Sequence, residues 1–332
     1  MNANVDTTNT AVGTVPHAVQ PMKTLLKREF WEHKGGFFWA PVIAGGVMLV
    51  FATIASIASV MFAHRHASEW HVETSNDMGA GAGSFGDAAL SGGIGLALIV
   101  LAFVTLFYCL GALYDDRRDR SVLFWKSMPI SDTQTVLSKV AWALVLAPLM
   151  SIAIGIAIGL ALWLLSGLTV AMSGLPGAGS IFANSHPLRI VANFVVALPV
   201  QMLWSLPAVG WLMLCSAWSK RVPFLWAVLL PILLCAMISF MSIFPGVHID
   251  HKAMWYTVAY RGLLSVVPGS WLPPLHPQPG AITTLDDGHF SHLLGADVSW
   301  QVFTHADVWI GAVVGIAMIY AAIRMRRWRA EG

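Results

Sequence analysis

Six apolar stretches recur along the chain, and five of them are long enough to cross a lipid bilayer without any Asp, Glu, Lys, Arg or His. A hydrocarbon core of about 30 Å needs roughly 20 helical residues, because each residue adds about 1.5 Å of rise. The last stretch, residues 308–323, reaches that length only if its helix begins near Val302. The pattern therefore predicts an all-α membrane protein with six transmembrane helices, over residues 37–63, 88–113, 140–165, 190–217, 222–244 and 302–323.

Basic residues between these stretches fall on alternate sides of the predicted membrane. Fifteen of the 19 Lys and Arg residues lie in the N-terminal segment, the second and fourth loops, and the C-terminal end. Loops rich in Lys and Arg remain cytoplasmic. We therefore predict that both termini are cytoplasmic.

The segments outside the spans have distinct compositions. Residues 1–21 are polar and nearly uncharged, which predicts a disordered leader, and residues 22–36 predict an interfacial connecting helix with an apolar face. In the outer loop 245–305, the apolar run 253–267 is too short to span and predicts a re-entrant or interfacial segment. Residues 324–332 predict a basic cytoplasmic tail.

The apolar stretches of the six-span domain, residues 37–323, contain no Asp, Glu, Lys, Arg or His when the last stretch is taken as residues 308–323. Proton- and ion-coupled transporters place such groups at membrane depth. The chain also has no G-x-x-x-x-G-K-[ST] phosphate loop. We therefore expect that it is not an enzyme and binds no cofactor itself, and that any ATP-derived energy enters from another polypeptide.

Histidine clusters raise the question of a metal site. Ten of the 12 histidines lie in predicted outer segments, including His64, His66 and His71, and His289 with His292. Their spacing matches no closed metal site, and the three cysteines lie inside predicted spans. We therefore predict no metal ligand.

The cytoplasmic loop 114–139 carries the most specific pattern. Charges crowd residues 115–120, an apolar run follows at residues 122–125, and Pro129 interrupts the segment. A new helix then begins, with Ser131 or Asp132 as its cap. Physical chemistry alone leaves two interpretations open: a contact helix for a partner, or a solvated connector whose apolar residues enter the headgroup layer.

This loop resembles the first cytoplasmic loop of type-2 ABC exporter permeases, whose signature is similar to E-x-x-x-G-T-L-x-x-L-L-x-x-P-[VI]-S followed by a Lys. The run Ser127-Met128-Pro129-Ile130-Ser131 matches the Ser-x-Pro-[VI]-Ser part, and Lys139 stands where the family's Lys leads into the third span. The chain departs from the pattern with Asp116 in place of Glu and Arg120-Ser121 in place of Gly-Thr.

The resemblance implies a transmembrane permease subunit of an ATP-binding cassette exporter in a bacterial inner membrane. Such a subunit forms the translocation pathway as a homodimer or heterodimer in the bilayer. It pairs with cytoplasmic ATPase subunits that hold the ATP and Mg, and its partners do not include nucleic acid. Loop 114–139 would be the coupling loop, with the ATPase contact at Asp116, Arg117, Arg118, Asp119, Arg120, Leu123 and Phe124.

Two alternative functions remain at the level of sequence, and the location of one helix contact is also open. The chain could be a non-transporting membrane scaffold or sensor subunit of a multiprotein complex. It could be a membrane enzyme built on the outer histidines with Asp286, Asp287 and Asp297. The G-x-x-x-G run at Gly155 and Gly159 predicts close helix packing, either within the chain or at a dimer seam.

Overall fold

The fold is taken from a computed structural model that describes residues 21–66, 76–119, 131–173, 178–241, 250–272 and 295–329. All regular secondary structure in these ranges is helical. Apart from Pro21, the leader predicted for residues 1–21 lies outside them, as do the middle of loop 114–139 and much of the outer segment 245–305.

The α-helices of the described residues fall into long helices and short connecting ones. Turns of π-helix extend several of them without a break, at Gly35–Trp39, Trp142–Leu146, Leu225–Leu229 and Tyr256–Arg261. In chain order the α-helices are α1 Pro21–Lys34, α2 Ala40–Arg65, α3 Asn76–Gly111, α4 Tyr114–Arg118, α5 Asp132–Ala141, α6 Ala147–Met172, α7 Ala178–Asn184, α8 Pro187–Val196, α9 Leu198–Trp218, α10 Leu230–Met241, α11 His251–Trp255, α12 Ala296–Ser299 and α13 Ala306–Arg329.

Five helical stretches of the described chain are long and apolar enough to cross a membrane: Met22–Arg65, Gly83–Arg118, Asp132–Met172, Ile181–Trp218 and Ala306–Trp328. They contain most of the predicted first, second, third, fourth and sixth spans. Within the described residues the predicted fifth span, 222–244, is a shorter apolar helix, Leu225–Met241. The chain is thus an all-α protein of the multi-pass membrane type.

The last long helix begins later than the sequence predicts. Trp300–Thr304 forms a separate 3₁₀ turn, and His305 has an extended backbone (φ −89°, ψ 129°) that interrupts the helical hydrogen bonds. Helix α13 therefore starts at Ala306 instead of near Val302. At its other end it continues to Arg329, through most of the segment predicted as a basic tail.

Large apolar side chains cover the outside of the bundle. Phe51 on α2, Phe103 on α3 and Val313 on α13 are 68%, 65% and 67% exposed. Water-soluble monomers rarely expose contiguous apolar surface on this scale. A lipid environment removes the cost, because hydrocarbon tails are as apolar as these side chains.

Glycines allow the closest helix approaches inside the bundle. A Cβ on Gly155 of α6 would lie 2.8 Å from the Cα of Ile94 on α3, and a Cβ on Gly159 would lie 2.5 Å from the Leu90 carbonyl oxygen. The G-x-x-x-G run therefore packs within the chain. Helices α9 and α13 meet in the same way, since a Cβ on Gly210 would lie 2.6 Å from the carbonyl oxygen of Gly315.

The apolar run 253–267 forms short helical pieces that do not span. Helix α11 continues as π-helix to Arg261, a 3₁₀ turn follows at Leu264–Val266, and Gly269 (φ 82°) reverses the chain. The segment packs on α9, where the Gln201 amide donates to the Val266 carbonyl at 3.1 Å. A side-chain donor from a long helix thus fixes this irregular backbone.

Helix α1 forms where the sequence predicts a connecting helix, and it runs without a break into the first long helix. One face of α1 packs against α5 and buries Leu25 and Glu29, which are 2% and 1% exposed. Glu29 interrupts the apolar arc of α1 in the sequence. In the structure this carboxylate is buried inside the protein.

Candidate functional site: a buried charge cluster

Four helices bring charged side chains together at one end of the bundle. Helix α1 supplies Glu29, α4 supplies Asp116, α5 supplies Lys139 and α13 supplies Arg326. All four side chains are nearly inaccessible, between 1% and 6% exposed. We call these four residues, together with Asp132 and Arg28, the charge cluster. With three acidic and three basic side chains, the cluster has no net formal charge.

Lys139 connects α5 to two other helices. Its Nζ lies 3.0 Å from Glu29 Oε1 and 3.6 Å from Asp116 Oδ1. Glu29 Oε1 has no hydrogen-bond partner of good geometry, so its contact with the ammonium is an ion pair. The other carboxylate oxygen, Oε2, accepts a hydrogen bond from the Tyr108 hydroxyl at 2.8 Å.

Arg326 connects the last helix to the same carboxylates. Its Nη1 donates to Asp116 Oδ2 at 2.9 Å, and its Nε donates to Asp132 Oδ1 at 3.1 Å. Arg28 Nη2 lies 3.9 Å from Asp116 Oδ1. Asp116 thus faces three cations, carried by α1, α5 and α13.

The electrostatics of Asp116 follow from this environment. Burial by itself raises the pKa of the carboxyl, because the interior disfavours the charged form. The Lys139 and Arg326 cations outweigh burial and hold the pKa of Asp116 below its ordinary value of 3.8. Because its pKa is lowered, this carboxylate, which lies on α4 beyond the predicted second span, is ionised in the protein at neutral pH.

The local sequence of α5 orients Asp132 and Lys139 toward the other members of the charge cluster. Ser131 caps α5: its hydroxyl accepts from the Gln134 backbone N–H, and the Gln134 side chain accepts from the Ser131 N–H. This capping box confirms the helix start predicted from the sequence. Asp132 and Lys139 stand seven residues apart, two helical turns, so both face the interior side of α5.

Arg117 fixes the start of loop 114–139 to the end of α9. Its guanidinium donates to the Ser216 carbonyl and, at 3.1 Å, to the Ser219 carbonyl. The Ser216 hydroxyl accepts in return from the backbone N–H groups of Leu113 and Tyr114, at 3.1 and 3.0 Å. The two backbone N–H groups at the break between α3 and α4 thus find their acceptor on a neighbouring helix, α9.

The structure separates the residues predicted for the ATPase contact. Asp116 and Arg117 point into the protein and bind other helices, whereas Arg118 and Asp119 are exposed. Arg120, Leu123 and Phe124 lie outside the described residues. Of the described members, Arg118 and Asp119 are therefore the ones whose side chains are accessible to a partner.

Sequence reasoning named only Asp116 of the six cluster members as a site residue. Glu29 was an interruption in an amphipathic pattern, Lys139 a loop-end residue and Arg326 part of a basic tail. The position of Glu29 within the apolar arc of α1 was the available signal, because a charge on a buried helix face needs a partner. Nothing in the sequence places Arg326 beside it, since the two are far apart in the chain.

Among the described residues, the one group of three or more possible metal ligands is Glu29, Glu32 and His33, whose ligand atoms lie within 4.8 Å of one another. The Glu29 carboxylate already binds Lys139 and Tyr108, so this group does not make a metal site. His64 and His66 lie at the end of α2, while His71, His289 and His292 lie outside the described residues.

No protein-family model, curated protein or solved structure matches the chain. The interpretation of the charge cluster therefore rests on its own geometry. It joins four helices and the two ends of loop 114–139 through buried ion pairs.

Proposed function

We propose that this chain is the membrane-spanning permease subunit of an ATP-driven exporter, with loop 114–139 as the contact for a separate cytoplasmic ATPase. The proposal places it in a bacterial inner membrane with both termini in the cytoplasm. It works as a dimer with a second permease, and ATP and Mg bind only to the ATPase partner. The proposal rests on the resemblance of the loop and on the charge cluster.

The observation that carries the proposal is the attachment of both loop ends to other helices. At its start, Arg117 binds the end of α9 and Asp116 binds Arg326 of α13. At its end, Asp132 binds Arg326 and Lys139 binds Glu29 of α1. A force on the loop therefore reaches α1, α9 and α13 through buried contacts.

The mechanism follows from this attachment. Closure of the ATPase pair displaces the loop. In this proposal the exposed Arg118 and Asp119 give complementary charge, and Leu123 and Phe124 are the apolar anchors that the resemblance implies. The cluster moves as a unit, because separating any buried pair leaves an uncompensated charge. The long helices then rearrange around the translocation pathway.

A cavity of about 280 Å³ fits an apolar or amphipathic cargo. It lies between α3, the α5–α6 helix and the α8–α9 region, and the outer segment closes one side with Trp271. The predicted second span contributes residues to this cavity, whereas no residue of the predicted fifth span lines it. Apolar lining residues include Leu98, Leu101, Ile152, Phe194 and Val209.

The test is purification of the full chain from its native membrane in mild detergent, with identification of co-purifying chains and an ATP hydrolysis assay. We expect a stoichiometric phosphate-loop ATPase. The double variant Leu123→Ala/Phe124→Ala is expected to lose that subunit or its coupled hydrolysis. Leu188→Ala is the matched control, because Leu188 is an apolar side chain on α8 that is 86% exposed.

A preparation without any ATPase would contradict the exporter and favour the scaffold. An ATPase that remains bound and coupled in the double variant would retain the exporter but move its contact away from Leu123 and Phe124.

A further inference from the structure

A second cavity lies at the other end of the bundle from the charge cluster. It measures about 580 Å³ and is enclosed by α9, the Leu225–Met241 helix, the α11 segment and α13. Arg261 and Asp307 line one part of it. Helix α13 separates Asp307 from Arg326 by roughly 28 Å, at about 1.5 Å per residue. The apolar lining includes Leu234, Cys235, Ile238, Val314 and Met318.

The rim of this cavity is apolar and exposed. Leu234, Ile310 and Val314 are 48%, 62% and 41% exposed although they also line the cavity. On a multi-pass membrane protein such a rim faces hydrocarbon. An acyl chain can therefore enter the cavity from the bilayer without crossing a polar barrier.

A buried arginine, Arg261, is unusual beside an apolar cavity of a membrane protein. It is 5% exposed, and its guanidinium carbon lies 3.7 Å from the centre of the Trp204 ring. Nη1 donates to the Trp204 carbonyl at 3.0 Å, Nη2 donates to the Asp307 carbonyl at 3.2 Å, and Nε lies 3.6 Å from Asp307 Oδ2.

These contacts use one N–H of each guanidinium nitrogen. A guanidinium has five N–H donors. Two therefore have no acceptor among the described residues. Burying a charge in a membrane domain is costly, and such residues mark functional sites. Arg261 also lines the cavity, so its remaining N–H donors can meet a ligand that enters there.

Helix α13 is shaped to receive the guanidinium. A Cβ on Gly311 would overlap Arg261 Nη2, so only glycine permits the approach. Asp307, whose side chain is 44% exposed, accepts a hydrogen bond from the Tyr256 hydroxyl at 2.5 Å and presents a negative charge beside the cation. The site thus offers a buried positive group, an accessible negative group and an apolar chamber.

We propose that this cavity binds one zwitterionic phospholipid. Its phosphodiester meets the spare N–H donors of Arg261, because a planar guanidinium matches phosphate oxygens. Its ammonium lies toward Asp307, and an acyl chain fills the space along Leu234, Ile238 and Val314. Free phosphate does not fit the apolar lining. The proposal is independent of the exporter function, since it uses none of the coupling loop.

The experiment is native mass spectrometry of the full chain in detergent, titrated with dioleoylphosphatidylethanolamine or with dioleoylglycerol. The second probe has the same chains and no headgroup. We expect one phospholipid to bind at least about tenfold tighter than dioleoylglycerol, the factor expected from one or two charge-assisted hydrogen bonds. Arg261→Gln is expected to remove that difference, and Arg324→Gln, which changes an exposed arginine of α13, is expected to retain it.

Two further variants keep the proposal testable if Arg261→Gln fails to fold. Val314→Trp fills the chain end of the cavity without touching the ion pair, and we expect it to weaken binding of both lipids. Gly311→Ala is expected to displace the guanidinium and weaken only the phospholipid, whereas Gly46→Ala, which meets no atom within 4 Å, is its neutral control.

Three results would overturn the proposal. The first is equal affinity of the unmodified protein for the two probes. The second is unchanged phospholipid binding in folded Val314→Trp and Gly311→Ala. The third is a dimer that Val314→Trp converts to monomer while lipid binding persists, which would make the cavity an interface between two copies of this chain.

Discussion

Loss of the Lys139 ammonium is the sharpest perturbation of the charge cluster. In Lys139→Met the side chain keeps its length, but Glu29, which is 1% exposed, loses the cation 3.0 Å from its Oε1. Glu29 retains the Tyr108 hydroxyl at 2.8 Å and His33 Nδ1 at 3.7 Å, and Asp116 retains Arg326. The carboxylate most affected is therefore that of Glu29.

The magnitude follows from breaking a buried ion pair on one side only. Removing one partner costs about 3–5 kcal/mol, because the remaining charge stays buried without compensation. At about 2 °C per kcal/mol, the lower end for larger domains, this corresponds to a loss of roughly 6–10 °C in the melting temperature. Lys139→Met/Glu29→Gln should recover part of the loss, because the uncompensated carboxylate is gone and Gln can still accept from Tyr108.

Thermal unfolding in detergent, followed by size-exclusion fluorescence, measures all three proteins. Lys252→Met is the matched control, since Lys252 is exposed and should leave the melting temperature within about 1 °C, as surface substitutions do. The reasoning fails if Lys139→Met melts with the control, or if the double variant is less stable than Lys139→Met. Adding the single variant Glu29→Gln completes a double-mutant cycle, which gives the coupling energy of the pair.

Three further predictions concern other contacts of the bundle. The folded-state pKa of Asp116 is depressed, so its stabilisation is present above about pH 4 and is lost as pH falls through the folded-state value. Asp116→Asn should therefore flatten the dependence of the melting temperature on pH between pH 5 and 3. An unchanged dependence on pH would contradict this. Gly93→Ala should cost about 1–3 kcal/mol, because its Cβ overlaps the backbone of Gly159, while Gly46→Ala should be near neutral in the same melting assay. Ser216→Ala should cost about 1–3 kcal/mol by leaving two backbone N–H groups at the α3–α4 break without their acceptor, and a melting temperature equal to that of Ser59→Ala, which loses an exposed hydroxyl contact, would refute it.

The apolar pattern determines most of the helices. Long charge-free runs predict helices wherever they occur, because backbone groups in hydrocarbon must be satisfied within the segment. The Ser131 cap was also readable, since a capping box is local and spans four residues. Local patterns also have limits. The start of α13 at Ala306 depends on an extended His305, which the apolar pattern does not indicate.

The sites required tertiary structure. Glu29, Lys139 and Arg326 belong to helices far apart in the chain. Only packing brings them together with Arg28, Asp116 and Asp132 into one neutral cluster. In the same way Arg261 is an ordinary loop arginine until α9 and α13 enclose it between Trp204 and Gly311. Sequence determines which segments are helical because that preference is local. Which buried charges meet is decided by the packing of whole helices, because a charge in a membrane domain is stable only where a distant segment supplies its partner.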